Sequence, residues 1–308
     1  MPNVSIIIPN YNHAKYLEKR INSVLNQYFQ DYEVIILDDC STDNSREIIE
    51  TYRFNPKVSQ IIYNNQNSGS TFAQWKKGIE LAAGNYIWIA ESDDIAEPNF
   101  LDKCIEAITF DNEINLCFTQ SYRIDGHDAT IGDFSECYNT KFTSPFIQNG
   151  KSYIKEFLWH ENNIFNASAV LFKKEAYPID DKELSKLKFV GDWYVYLKII
   201  EIGKISYLPE RLNYFRSHGA SVTTKFNSSK LHLLESYFIL SYITKNRLYN
   251  SRKKITSRFN YLAGLILYSN PNPNDLKHLL SLDNLFVIRA IGIILKSIIK
   301  RDLLMFKK

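Results

Sequence analysis

Three times in its first hundred residues the chain runs through a short apolar stretch and stops in short polar or acidic side chains. Val4-Ser5-Ile6-Ile7-Ile8 ends in Pro9-Asn10, Glu33-Val34-Ile35-Ile36-Leu37 in Asp38-Asp39, and Tyr86-Ile87-Trp88-Ile89-Ala90 in Glu91-Ser92-Asp93-Asp94. Short β-branched and aromatic runs bounded by turn formers read as buried strands. Between them apolar residues recur at helical spacing: Leu17, Ile21, Val24, Leu25 and Tyr28, then Ile48, Ile49 and Tyr52. A strand over residues 58–63, a helix over 71–83 and a helix opening at Pro98 continue the alternation. Such β-α-β order implies an α/β fold, a mostly parallel sheet with helices on both faces. Sheets of this kind bind ligands in the crevice at the carboxyl ends of their strands. A buried strand has no reason of its own to stop in acid, because carboxylates are almost never buried unpaired. A solvated turn explains any one of these loops. Three of them on one rim, at 9–12, 38–42 and 91–94, point to a site.

Beyond residue 114 the pattern loosens. Residues 116–120, 167–172 and 211–216 read as strands, 190–202 and 228–269 as helical, and Pro271 and Pro273 break the chain before further helices. Charge divides the sequence more sharply. Residues 1–224 carry 22 basic against 30 acidic residues, whereas 225–308 carry 15 against 4. The expected organisation is therefore a domain over 1–224, with halves 1–105 and 106–224, and a basic helical C-terminal extension over 225–308. The acidic part suits a cation and the basic part an anionic surface. Cys40, Cys104, Cys117 and Cys137 lack metal-type spacing and read as free thiols of a reducing compartment. Met1 runs almost directly into a strand, so no secretory leader is expected, and no window has the length of a spanning helix. A cytoplasmic location follows from these readings.

Several chemistries are disfavoured by what is missing. No glycine-rich dinucleotide fingerprint follows the first strand, no phosphate-loop motif occurs, and no Gly-x-Ser-x-Gly elbow is present. Nothing points to nucleic acid. Hard carboxylate oxygens at a strand end suit Mg²⁺ or Mn²⁺, which usually share their coordination with substrate phosphates.

At this point the motifs resemble a known family. Val4-Ser5-Ile6-Ile7-Ile8-Pro9-Asn10-Tyr11-Asn12, Asp38-Asp39-Cys40-Ser41-Thr42-Asp43 and Glu91-Ser92-Asp93-Asp94 are similar, in order and spacing, to the motifs of family 2 glycosyltransferases. The resemblance covers roughly residues 3–224. It implies a GT-A fold, an inverting mechanism and a nucleotide-sugar donor, with uridine the default base. Pro9 and Tyr11 match the loop against base and ribose, Asp39 the carboxylate accepting a hydrogen bond from the base, and Gly69 the segment near the diphosphate. Asp94 matches the metal-binding acid of the Asp-x-Asp-type motif, and Asp93 its neighbour at the ribose or metal shell. Glu91 departs from the usual aspartate. Phe72-Ala73-Gln74-Trp75-Lys76-Lys77 departs from the usual Ala-Arg-Asn, leaving Lys76 or Lys77 to neutralise a phosphate or simply to be solvated.

Asp192, in Phe189-Val190-Gly191-Asp192-Trp193-Tyr194, matches the catalytic base, which removes the proton from an acceptor hydroxyl. A helix cap is the competing role, as it is for Asp38 and Asp39. Arg216 and His218 match a later segment near the donor phosphates, Arg216 as a fork on phosphate oxygens and His218 on metal or diphosphate, or as a plain loop residue. Trp159 and His160 flank the acceptor, unless Trp159 is core.

The acceptor implied is a glycan or lipid-linked saccharide of surface-polysaccharide synthesis. Residues 285–301, apolar and cationic, fit a helix in a membrane interface, so a peripheral contact on the inner face of the cell membrane through 285–308 is expected. Packing on the catalytic domain or on a second copy competes with it. Two other functions share the scaffold. A sugar nucleotidyltransferase would present a glycine-rich basic loop where Pro9-Asn10-Tyr11-Asn12 stands. A non-catalytic sugar-nucleotide or glycan-binding protein would have no need of Asp93, Asp94 and Asp192 together.

Overall fold

The computed structural model describes residues 2–138, 140–218 and 231–268, with Pro273 and Lys277. The segment 285–308, with its expected membrane contact, lies outside the described residues.

The first half follows the alternation. It contains β1 (Val4–Asn10), α1 (Ala14–Leu25), β2 (Tyr32–Asp38), α2 (Ser45–Glu50), β3 (Val58–Tyr63), α3 (Thr71–Leu81) and β4 (Tyr86–Ile89). A two-residue β5 (Ile95–Ala96) precedes α4 (Phe100–Thr109). Pro98 does not open that helix, as its position had suggested; it sits in the turn before Asn99 and its carbonyl accepts the Tyr28 N–H at 2.8 Å. The second half holds β6 (Ile114–Ile124), β7 (Thr130–Asp133), β8 (Phe146–Asn149), α5 (Gly150–Tyr153) running into a π-turn at Ile154–Leu158, β9 (Val170–Lys173), α6 (Gly191–Ile200) and β10 (Lys204–Arg216). Two further helices, α7 (Leu231–Lys245) and α8 (Arg252–Tyr268), replace the single helical stretch expected over 228–269. The break between them contains Arg247 with φ of 56°, a left-handed residue of the kind that ends helices.

The strands form one sheet in the order β3-β2-β1-β4-β9-β6-β10-β5, with β7 beside β6 and β8 beside β10. β1, β2, β3 and β4 are mutually parallel, as is the pair β6 and β10, whereas β9 is antiparallel to both β4 and β6. The 13-residue β10 is longer than expected, and its register against β6 shifts around Pro209. Proline cannot donate to the ladder, so a bulge forms there.

Alternate residues of each strand enter opposite cores. Ile7, Ile35, Leu37, Ile87 and Ile89 meet Phe72, Trp75 and Ile79 of α3 together with α6. Ile6, Ile8, Val34, Ile36 and Trp88 meet Leu17, Ile21 and Val24 of α1 and Phe100, Leu101 and Cys104 of α4. Burial on both faces is why these strands read as unbroken apolar runs. Helix α7 is apolar nearly all round for a related reason. Phe238, Ile239 and Ile243 join the main core, while Leu234, Tyr237 and Leu240 pack against α8.

Candidate functional site

The carboxyl ends of β1, β2 and β4 lie side by side, so the three polar loops share one rim. The first two are stitched together. Asn10 Nδ2 donates to Asp38 Oδ1 at 2.8 Å, the Ser41 N–H to Asp38 Oδ2 at 3.0 Å, and the Thr42 N–H to Asn12 Oδ1 at 2.7 Å. Asn12 and Cys40 take left-handed backbones, with φ of 57° and 63°. That conformation disfavours side-chain-bearing residues by about 1–2 kcal/mol, although asparagine tolerates it better than most. Neither Asp38 nor Asp39 caps α2; Asn44 stands at that position, and Asp43 accepts the Ser45 N–H at 3.0 Å.

Asp39 is 4% exposed. It accepts from Asn64 Nδ2 at 2.6 Å, the Ser68 hydroxyl at 2.7 Å, the Ser68 N–H at 3.0 Å and Gln74 Nε2 at 2.9 Å. Its carboxylate thus organises the 64–70 loop from within, where an outward contact to a base had been expected. Gly69 lies exposed on that loop with φ of 66°, a conformation glycine adopts freely. Ser70 behind it caps α3, its hydroxyl accepting the Ala73 N–H at 3.3 Å. Pro9 is buried in β1, and Tyr11 projects from the rim at 46% exposure.

Helix α3 turns its two lysines differently. Lys76 pairs with Glu80 on the helix surface at 3.7 Å, whereas Lys77 Nζ donates to Asn64, one of the groups that hold Asp39. Of the two candidates, Lys77 therefore reaches the rim and Lys76 does not.

The acidic loop resolves into distinct tasks. Glu91 Oε1 accepts from Trp75 Nε1 at 2.8 Å, and burial, followed by the charge of Asp93, pushes its carboxyl up to about 8. Asp93 Oδ2 lies 2.9 Å from His218 Nε2. His13 Nδ1 lies 2.8 Å from the Ser92 hydroxyl. One ligand atom from each of His13, Asp93 and His218 falls within 4.8 Å of the others, so these side chains can converge on one cation. Asp94, expected to be the metal ligand, is turned inward instead. It is 2% exposed, and its Oδ1 accepts the Arg216 N–H at 2.9 Å.

Arg216 also departs from expectation. Its guanidinium is buried, stacks over the Tyr16 ring at 4.5 Å, and donates to the carbonyls of Asp93 at 2.6 Å and Asp125 at 2.8 Å. It also pairs with Asp128. Committed to the backbone of the acidic turn, it is not placed to fork onto a phosphate. A second buried arginine, Arg20 on α1, lies 5.2 Å from the Trp88 ring centroid and makes no direct hydrogen bond among the described residues. Burial lowers its affinity for a proton to about 10, against the pull of Asp94, Asp93 and Glu91, so it stands as a fixed cation beneath the acids.

Asp192 occupies the first turn of α6, whose N-cap is Val190 without a side-chain cap, so the competing capping role is not realised. The residue as a whole is partly exposed. Its Oδ1 accepts the Trp193 N–H at 2.7 Å, and its Oδ2 accepts Asn162 Nδ2 at 3.0 Å. Burial raises its carboxyl to about 6 despite those hydrogen bonds, with a smaller push from Glu235. Contacts connect it to the acidic loop. A Cβ on Gly191 would meet Phe72, the Phe72 and Trp75 rings lie 5.2 Å apart, and Trp75 holds Glu91. Trp159 stacks on Tyr249, in the connection between α7 and α8, at 4.3 Å, and His160 offers its carbonyl to Arg258 of α8 at 2.8 Å.

Gly191→Ala tests the contact with Phe72. Its Cβ would lie 2.5 Å from the ring, and overpacking of this kind costs about 1–3 kcal/mol. A lower denaturation midpoint is expected, and an unchanged midpoint would show that the two elements are not packed so closely.

Sequence reasoning missed His13, Asn162 and Arg20. His13 directly follows Pro9-Asn10-Tyr11-Asn12, so a histidine at a strand-end turn was the available signal. Asn162 and Arg20 carried none.

Comparisons with known proteins fit this geometry. The family described as glycosyl transferase family 2 matches residues 5–172, more than half of the chain. An uncharacterized glycosyltransferase of Nostoc sp. is 30% identical over 227 residues, 71% of this chain and 66% of its own length. Chondroitin synthase of Pasteurella multocida is 29% identical over 230 residues, 73% of this chain but 22% of that protein. Both matches cover less than two thirds of the relative. Among solved structures, S. aureus TarS 1-349 in complex with UDP-GlcNAc aligns with a TM-score of 0.60 and 16% identity, over 95% of this chain and 89% of that one. Mannosyltransferase PcManGT from Pyrobaculum calidifontis, in complex with GDP-Man and Mn2+, gives 0.55 and 13%, over 96% and 87%. These likenesses establish the fold as GT-A.

Proposed function

The chain belongs to glycosyl transferase family 2, and on that premise we propose that it moves a sugar, with inversion, from a nucleoside-diphosphate sugar to a hydroxyl of a glycan or lipid-linked saccharide. The observation that carries the reading is the convergence of His13, Asp93 and His218 on the rim where β1, β2 and β4 end. Relatives named for polysaccharide synthesis support the acceptor class, and neighbours holding UDP-GlcNAc and GDP-Man support the donor class. A uridine donor is the first to test.

In this proposal Tyr11 lies against the base, Pro9 shapes its loop, and Gly69 with the start of α3 passes the diphosphate, beside Lys77. Asp39 serves the donor indirectly, by ordering the 64–70 loop. His13, Asp93 and His218 would hold the divalent cation. Two imidazoles and one carboxylate suit Mn²⁺ better than Mg²⁺, which prefers an all-oxygen shell. When bound, the ion offsets charge on the departing nucleoside diphosphate. Asp94 and Arg216 keep the acidic turn in shape from below.

Asp192 removes the acceptor proton as the hydroxyl oxygen bonds to the anomeric carbon and the bond to the diphosphate breaks on the opposite face. The proton ends on the Asp192 carboxylate, and no protein nucleophile intervenes. A carboxyl held near 6 is well suited to this work at neutral pH, being mostly ionised yet more basic than a solvated aspartate. Asn162 and the Trp193 N–H fix its direction.

A melting-temperature panel of nucleoside-diphosphate sugars, with and without Mn²⁺, tests the donor assignment. A donor at a hundred times its dissociation constant stabilises by about 2.7 kcal/mol, so a clear upward shift that requires Mn²⁺ is expected. A flat response across the panel would count against a nucleotide-sugar site. A surface-polysaccharide product and a membrane contact through 285–308 belong to the same proposal and are carried by the family and the sequence alone.

A further inference from the structure

We propose that Glu235 of α7 is a positioning residue for Asp192, holding by its carboxylate the backbone that leads into the helix bearing the base. The inference rests on the assignment of Asp192 as base and extends it to the C-terminal helices. Glu235 is fully buried. Its Oε1 accepts the Lys188 N–H at 2.9 Å, and its Oε2 accepts those of Phe189 at 2.8 Å and Val190 at 3.1 Å. A carboxylate is costly to bury unless its charge is met by donors, and consecutive backbone N–H groups form a concave anion site.

Val190 is the residue before α6, and its carbonyl accepts the Tyr194 N–H at 3.0 Å in the first turn. No side chain of the local sequence caps that helix. The N–H of the N-cap residue Val190 is instead met by a carboxylate 45 residues along the chain, whose charge also complements the positive end of the helix dipole. Asp192 is two residues beyond Val190, so a displacement of the clamped segment 188–190 is transmitted directly to the base. Misplacement of a reacting group by about 1 Å can cost a hundredfold in rate.

A purely architectural clamp would leave the proton affinity of Asp192 untouched. Glu235 would not, because its charge bears on that carboxylate from α7. Among the described residues, the other groups that contact the Asp192 carboxylate are the Trp193 N–H on its own helix and the Asn162 amide. Tyr196 on α6 senses the charges of both Asp192 and Glu91.

The experiment compares wild type, Glu235→Gln and Asp192→Asn in pH profiles of kcat and kcat/KM with the best donor from the panel. Glu235→Gln is expected to lower kcat roughly ten- to hundredfold with donor KM nearly unchanged, and to move the acid limb to lower pH. Unchanged kcat, or a loss of kcat with the limb at its wild-type position, overturns the proposal. If Asp192→Asn keeps full activity, the base assignment fails and this inference with it. If Asp192→Asn is inactive while Glu235→Gln is unimpaired, only the inference fails. Should Glu235→Gln not fold, amide exchange in the wild-type protein decides. Protection of the 188–190 amides at the level of the core strands supports the clamp, and exchange at the rate of an open loop refutes it.

Discussion

Replacement of Asp192 by asparagine is expected to lower transfer by about 10²–10⁴-fold, the usual contribution of a positioned general base, while donor affinity stays within about twofold. The change is nearly isosteric, so the hydrogen bond from the Trp193 N–H should survive. The wild-type rate should plateau above pH 7 and decline below about 6, because the protonated carboxyl cannot accept the acceptor's proton. The variant should lose that limb. Stability should move the other way. Burial raises the carboxyl above its ordinary value, so the folded protein favours the protonated form. That contribution is fully present below the unfolded value of 3.8 and is lost as pH rises through about 6. At pH 7 the neutral amide is therefore expected to melt no lower than wild type. Residual transfer near the wild-type level would remove Asp192 from the mechanism.

The second large effect separates two neighbours. Asp93→Asn is expected to abolish Mn²⁺ binding measured by titration calorimetry. It should also lower transfer by about a hundredfold or more, since a Lewis acid contributes several kcal/mol at about 1.36 kcal/mol per tenfold. Asp94→Asn should instead retain Mn²⁺ affinity and lower the melting temperature, because Asp94 faces the Arg216 N–H inside the protein. If Asp94→Asn lost the ion and Asp93→Asn kept it, the assignment would be reversed. His13→Ala and His218→Ala should each weaken binding by a smaller factor.

The first half was largely legible because its chemistry is local. β1, β2 and β4 are buried on both faces, so they appear as apolar runs, and their acidic ends stand out against them. Which carboxylate faces the crevice was not legible. Asp93 and Asp94 are chemically alike, and the group that turns Asp94 inward comes from Arg216, 122 residues away. The same long reach hid the fate of Arg216, whose partners Asp125 and Asp128 lie in another loop. β7 and β8 were missed because four-residue strands at the margin of a sheet carry too few apolar positions to show a period. The stretch 228–269 read as helical and holds α7 and α8 with a break at 246–251, yet its role was not legible. A single glutamate in an apolar helix gives no hint that its partners are main-chain amides of another element.

Strand β9 has a consequence for how this chain can be cut and recombined. It comes from residue 170 onward, yet runs antiparallel between β4 and β6 and supplies the hydrogen-bonding neighbour of Tyr86–Trp88. A fragment ending near residue 105 would expose that row of main-chain groups as a sticky margin, open to self-association. The first hundred residues cannot then be transplanted as an autonomous module. Any chimera that exchanges the first hundred residues must carry a matching β9, or leave the β4 margin open to pairing with another copy.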